Sequence, residues 1–187
     1  MDDSLTGLEV SDLVVAATVA DIGAGAGFPG FVLAAALPSA RVDMIESVTR
    51  KCDFMREAAA KAGIGNVRVV NSRSEEHAAT PPPEGGRDAY DAVTARAVGR
   101  LSTLAELASP LLREGGVLVA WKGRRDTEEE AQLDRAAAPL AMRPERILEV
   151  GALAGYEHRH LHVVRKAGPT PSGLPRRAGL AKKRPPG

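Results

Sequence analysis

The chain is poor in aromatic residues and has a single cysteine. One thiol, Cys52, allows no internal disulfide and fits a reducing compartment. Aromatic residues make up only 3% of the 187, so Ala, Val and Leu must pack the core. There is no run of eighteen apolar residues and no leader-like segment at the start, so a cytoplasmic protein with no membrane attachment is expected. Acidic residues are missing from the C-terminal end. Residues 158–187 hold eight basic side chains and no acidic one, against 17 basic and 24 acidic in the first 157. A chain of net charge +1 thus divides into an acidic body and a basic end. Such a division suits a polyanionic partner, or a tail that only keeps the protein in solution.

Strand and helix patterns alternate along the chain, which argues for βαβ units. Strands are expected at 14–22, 41–45, 67–70, 90–94, 117–121, 146–150 and 159–164. Helices are expected at 29–37, 48–62, 101–112 and 128–138. The short turn between the last two strands makes them an antiparallel pair. The fold class is therefore α/β, a doubly wound, mostly parallel, seven-stranded Rossmann-like sheet with an antiparallel final strand. Residues 1–13 precede this domain, residues 14–166 form it, and 167–187 are a basic Pro- and Gly-containing tail. That tail reads as extended rather than packed. Because it follows the last strand, it is expected to leave cofactor affinity untouched.

The most informative segment is Val19-Ala20-Asp21-Ile22-Gly23-Ala24-Gly25-Ala26-Gly27-Phe28-Pro29-Gly30. A β-branched strand delivers an acid into Gly-x-Gly-x-Gly, and Pro29 then opens a helix at its first turn. The glycines remove Cβ atoms where a ligand would lie against the backbone. Gly25-x-Gly27-x-x-Gly30 also satisfies the dinucleotide fingerprint. The earlier Asp21-x-Gly23-x-Gly25-x-Gly27 has the form found in S-adenosyl-L-methionine (SAM) methyltransferases. An acid at Asp21 suits a cofactor bearing an ammonium and a sulfonium, and would repel a pyrophosphate.

Charged residues end the following strands at the same sheet edge. Glu46 lies nineteen residues after Gly27, the offset of a carboxylate that accepts from ribose hydroxyls. Ser74 and Glu75 follow the third strand, where adenine contacts are expected. Arg96 follows the fourth, beside the expected path of the methyl group, and Lys122 follows the fifth. His158, His160 and His162 alternate on one strand face, read as a solvent-facing edge rather than a metal site, and no metal is expected. Cys52, inside a helix, reads as a small buried hydrophobe.

Absences narrow the chemistry. The residues after the fourth strand are Thr94-Ala95-Arg96-Ala97, not the Asp/Asn-Pro-Pro-aromatic tetrad of exocyclic-amine methyltransferases. No cysteine nucleophile for pyrimidine carbon-five chemistry stands near that loop. A substrate atom with a free lone pair remains, and guanine N7 is one. A binding protein that holds SAM or RNA without turnover is the alternative of a different class. An NAD-dependent oxidoreductase is disfavoured, since no room remains for a substrate domain.

In this order the segments resemble the small-subunit ribosomal RNA methyltransferase G family, also called the glucose-inhibited division protein B family. The resemblance rests on residues 21–30 and on Ile45-Glu46-Ser47-Val48-Thr49-Arg50-Lys51-Cys52-Asp53-Phe54-Met55-Arg56. Ser72-Arg73-Ser74-Glu75-Glu76, Ala95-Arg96-Ala97, Trp121-Lys122-Gly123, Arg159-His160-Leu161 and Leu174-Pro175-Arg176-Arg177-Ala178-Gly179 also fit. It implies methyl transfer from SAM to N7 of a guanosine in the decoding-region loop of 16S rRNA, by a monomer acting on rRNA or the small ribosomal subunit. It also implies cofactor contacts at Gly23, Phe28, Ser74, Glu75 and Arg96, with Glu46 on the ribose, to which the glycine motif itself adds Asp21, Gly25 and Gly27. Arg96 and Lys122 would be candidates for holding the target base, and Arg176, Arg177, Lys182 and Lys183 would meet RNA phosphates. Lys122 and Arg124 are further RNA-binding candidates on the body. Family members carry a longer helical segment before the glycine-rich strand, of which residues 1–13 look like the remnant.

Overall fold

The computed structural model describes residues 2–150 and 158–187. Seven strands form one sheet: β1 (Thr18–Ile22), β2 (Arg41–Glu46), β3 (Val67–Asn71), β4 (Tyr90–Arg96), β5 (Leu112–Lys122), β6 (Met142–Val150) and β7 (Arg159–Lys166). Their order is β3-β2-β1-β4-β5-β7-β6. The pairs from β3 through β5 are parallel, and β7 runs antiparallel to both β5 and β6. The doubly wound sheet with its antiparallel strand is therefore as the sequence implied. Strand order reverses between β1 and β4, the switch point beside which open α/β sheets bind ligands.

Helices α3 (Gly30–Ala36), α4 (Thr49–Ala62), α6 (Leu101–Ala108) and α7 (Thr127–Ala137) are accompanied by the short α1 (Asp2–Leu5), α2 (Ser11–Val14), α5 (Ser74–His77) and α8 (Leu180–Lys183). Two apolar clusters fill the molecule, one holding Ile22, Ile45, Tyr90 and Leu104, the other Leu33, Met44, Met55 and Trp121. With so few aromatic rings, aliphatic side chains supply most of this burial.

Four expectations are corrected. The run from Val14 is not all strand, because Ser11–Val14 is helical and β1 starts at Thr18. The helix expected to reach residue 112 ends at Ala108, since Pro110 cannot donate to a continuing helix, and Leu112 already belongs to β5. His160 and His162 are 8% and 4% exposed, because β7 lies inside the sheet between β5 and β6. The C-terminal segment is packed rather than extended. It buries Leu174 and Ala181 and crosses α6, where Thr103 Oγ1 donates to the Ala181 carbonyl at 3.3 Å. Arg87 Nη1 donates to the Leu174 carbonyl at 2.9 Å.

Candidate functional site

The carboxyl ends of β1, β2 and β3 open into a cleft of about 250 Å³, lined by Gly23, Glu46, Ser74, Glu75, Val98 and Lys182, among others. Gly23, the first residue of the glycine turn, is part of that lining. Gly23, Gly25 and Gly27 have φ of 65°, 62° and 95°, backbone that side-chain-bearing residues rarely adopt. The turn is tied to β2: the Gly23 amide donates to the Ile45 carbonyl at 2.9 Å, and the Gly25 amide to Glu46 Oε2 at 3.1 Å. The glycines differ in what they permit. A Cβ at Gly27 would lie 2.2 Å from the Phe31 ring, so this residue serves packing. A Cβ at Gly25 would meet only the Gly23 carbonyl oxygen, at 3.7 Å, so the space beside it is open to a ligand.

Asp21 does not line the cleft. It is 1% exposed and lies beneath the turn, where Oδ2 accepts from the Gly30 amide and Oδ1 from Thr94 Oγ1, each at 3.0 Å. Burial raises its pKa to about 7, against the opposing Gly30 amide, Thr94 hydroxyl and Arg96 charge. Its carboxyl group therefore joins the start of α3 to β4, and contact with a cofactor ammonium is not its place. The Gly30 position is equally closed, since a Cβ there would lie 2.7 Å from Met44 Sδ. Pro29 stands just before the helix, which begins at Gly30.

Glu46 does line the cleft. Its Oε1 accepts from the Val48 amide at 2.9 Å, and Lys51 Nζ lies 3.7 Å from Oε2. Burial alone would raise its pKa. The Val48 amide, the Lys51 ammonium and the Gly25 amide outweigh that and hold it below the ordinary glutamate value. An ionised carboxylate with lone pairs to spare thus ends β2, suited to accepting from a diol. Ser74 and Glu75 open α5 on the same wall, and Glu75 Oε1 accepts from the Gly179 amide at 2.7 Å. Gly179 and Lys182 of the C-terminal segment thereby join the lining, although the sequence suggested no place for the tail here.

Arg96 turns the other way, toward the N-terminal segment. Its guanidinium carbon lies 5.7 Å from the Phe28 ring centroid, and Nη1 reaches Asp3 Oδ2 and Ser4 Oγ, each at 3.3 Å. Trp121 Nε1 donates to the Asp3 carbonyl at 2.8 Å, so residues 2–6 are fastened to the ends of β4 and β5. Ala97 and Val98 take the cleft side. Lys122 is drawn away from both groups. Nζ donates to Glu129 Oε1 at 2.6 Å and to the Gly99 carbonyl at 3.1 Å, which neutralises its charge and braces the loop after β4.

Of the expected RNA contacts, Arg124, Arg177, Lys182 and Lys183 are exposed. Arg176 is not available. Its guanidinium is bidentate on Glu106, with Nε 2.5 Å from Oε1, and Glu106 is 3% exposed. Arg184, absent from the expected set, is exposed in its place. Cys52 is fully buried, its thiol pKa raised first by burial, and Sγ donates to the Glu46 carbonyl at 3.2 Å.

A glycine-turn cleft at the switch point of a seven-stranded sheet whose β7 is antiparallel defines a Rossmann-like methyltransferase-type domain. Solved structures agree on the fold. A SAM-dependent O-methyltransferase from Thermotoga maritima superposes with a TM-score of 0.65 at 17% identity, covering 88% of this chain and 64% of its own. The mitomycin 7-O-methyltransferase MmcR gives 0.66 at 18%, covering 88% and 53%. The sequence narrows the class to one family. The profile of rRNA small subunit methyltransferase G matches residues 1–161. The ribosomal RNA small subunit methyltransferase G of Rubrobacter xylanophilus is 44% identical over 98% of this chain and 70% of its own length. Its namesake from Deinococcus radiodurans is 41% identical over 98% and 71%. The chain belongs to the rRNA small subunit methyltransferase G family.

Proposed function

We propose that this protein transfers a methyl group from S-adenosyl-L-methionine to N7 of a guanosine in 16S rRNA, the nucleotide lying in the decoding-region loop. The observation that carries this reading is the cleft itself. An ionised Glu46 is hydrogen-bonded to the Gly25 amide, and open space lies beside Gly25. The donor set fits the cofactor: Glu46 would accept from the ribose hydroxyls, Ser74 and Glu75 flank the purine, and the Gly23–Gly25 backbone lies against the remainder. When bound, SAM supplies an electrophilic methyl group on a sulfonium sulfur.

The target nitrogen brings its own lone pair, so no proton need be removed for the new bond to form. Orientation is then the main demand on the protein. Arg96, which packs on Phe28 and pairs with Asp3 at the end of β4, is assigned to the target base on that side of the glycine turn, where the base would take the place of Asp3. Lys122 serves by bracing the loop through Gly99 and Glu129. Asp21 acts on the cofactor indirectly, by holding α3 and β4 together beneath the turn. Labelled SAM, small-subunit RNA and mass-spectrometric analysis of the digested product test the reading. N7-methylguanosine is the expected product, and methyl label on any other atom overturns the assignment. Glu46→Ala should weaken cofactor binding by roughly 1–3 kcal/mol, the scale of lost charge-assisted hydrogen bonds. Calorimetry would measure it, and wild-type affinity in that variant would remove the ribose from this end of β2.

A further inference from the structure

The C-terminal segment does two things that its sequence does not connect. It is anchored on the body by the Arg176–Glu106 pair, by the Ala181 carbonyl on Thr103, and by the Gly179 amide on Glu75 Oε1. That anchoring sets Gly179 and Lys182 into the wall of the cleft. Within a few residues of Lys182 stand Arg177, Lys183 and Arg184, all exposed and with no carboxylate partner among the described residues. One short segment therefore walls the cleft on its inner side and presents a cationic patch on its outer side.

We infer that this segment belongs to the cofactor site, with Lys182 as a binding residue of the cleft, and that it couples cofactor binding to RNA binding. The inference rests on the proposed cofactor cleft. Phosphates held by Arg177, Lys183 and Arg184 restrain the same residues that close the cleft. RNA thus meets part of the ordering cost of the wall, and a bound cofactor returns the favour to RNA by the same factor. The coupling is positive in both directions. Lys182 thereby moves from the RNA-contact set to the boundary between the two ligands.

Calorimetric titration of the full chain with S-adenosylhomocysteine, with and without a short guanine-containing RNA hairpin, tests this. In the wild type the hairpin should tighten S-adenosylhomocysteine by about fivefold or more, the usual range for linked sites. Lys182→Ala should weaken S-adenosylhomocysteine severalfold without RNA, and Lys182→Arg should restore it. Thermal melts should show no loss of stability in either variant, because this exposed side chain has no hydrogen-bond or ion-pair partner among the described residues. The triple variant Arg177→Ala, Lys183→Ala, Arg184→Ala should keep wild-type affinity without RNA and lose the tightening by RNA. Wild-type affinity in Lys182→Ala overturns its place in the cleft, and an RNA-insensitive wild type overturns the coupling. If the wild type fails to bind S-adenosylhomocysteine at all, the cofactor reading itself falls, and this inference with it.

Discussion

Asp21 shows how one residue can be read correctly as a landmark and wrongly as a contact. An acid at the end of a glycine-turn strand marks the family pattern, and at that level the sequence was legible. Its partners, the Gly30 amide and Thr94 hydroxyl, lie nine and seventy-three positions away, and the second is set only by β1–β4 register. The consequence is a pH dependence. The folded-state pKa is about 7 against 3.8 for the free group, with burial the leading cause, so the folded protein favours the protonated form. The stability this contributes is complete below pH 4 and is lost as pH rises through about 7. Asp21→Asn keeps an acceptor for Gly30 and does not titrate. Urea unfolding of both proteins from pH 5 to 8 should show the variant gaining about 2 kcal/mol on the wild type. A difference that stays constant over that range would contradict the buried, proton-binding carboxyl group.

Among the elements, α6 and the C-terminal segment explain each other. Every residue of Leu101–Ala108 is buried, including its one charge, Glu106. A helix buried on all sides needs cover on all sides, and α7, β5 and the C-terminal α8 all pack against it. The C-terminal segment supplies part of that cover and brings Arg176 to Glu106. This cover was the least legible part of the fold, because Pro- and Gly-rich sequence has no periodicity and its partners lie seventy residues upstream. The buried histidines of β7 were missed for a related reason, since a strand's place in the sheet is not written in its own residues. β2, β3, β4 and the glycine turn carry strong local patterns, so they were read to within two residues, whereas β1 begins four residues later and β5 five residues earlier than their patterns suggested. Arg176→Ala would leave the Glu106 carboxylate buried without its cation. We expect a loss of about 2–3 kcal/mol, somewhat below that for a fully enclosed pair. Thermal melting should therefore fall by several degrees, whereas Arg177→Ala, an exposed change, should melt like the wild type. Equal melting temperatures would show that the segment is not held by this pair.

At the scale of the whole molecule, charge separation decides how RNA is met. The first 157 residues carry seven more acidic than basic side chains, and many cations of the body are already matched: Lys122 with Glu129, Arg125 with Glu130 and Arg68 with Asp43. Such a surface attracts a polyanion weakly, so the exposed C-terminal cations that make no ion pair among the described residues must supply most of the attraction. The structure revises which ones count. Arg176 is committed to Glu106 and Lys182 to the cleft wall, so both leave the set, while Arg184 joins Arg177 and Lys183. Each phosphate contact on single-stranded RNA contributes about −0.7 to the slope of log affinity against log salt. Neutralising these three cations should therefore flatten the slope by about two units. Neutralising Arg176 alone should change stability and leave the slope close to the wild-type value wherever the protein remains folded. Filter binding of a guanine-containing hairpin across salt concentrations would measure both slopes. If the triple variant keeps the full slope, the phosphates lie elsewhere. Arg124, exposed on the loop after β5, would then be the next cation to test.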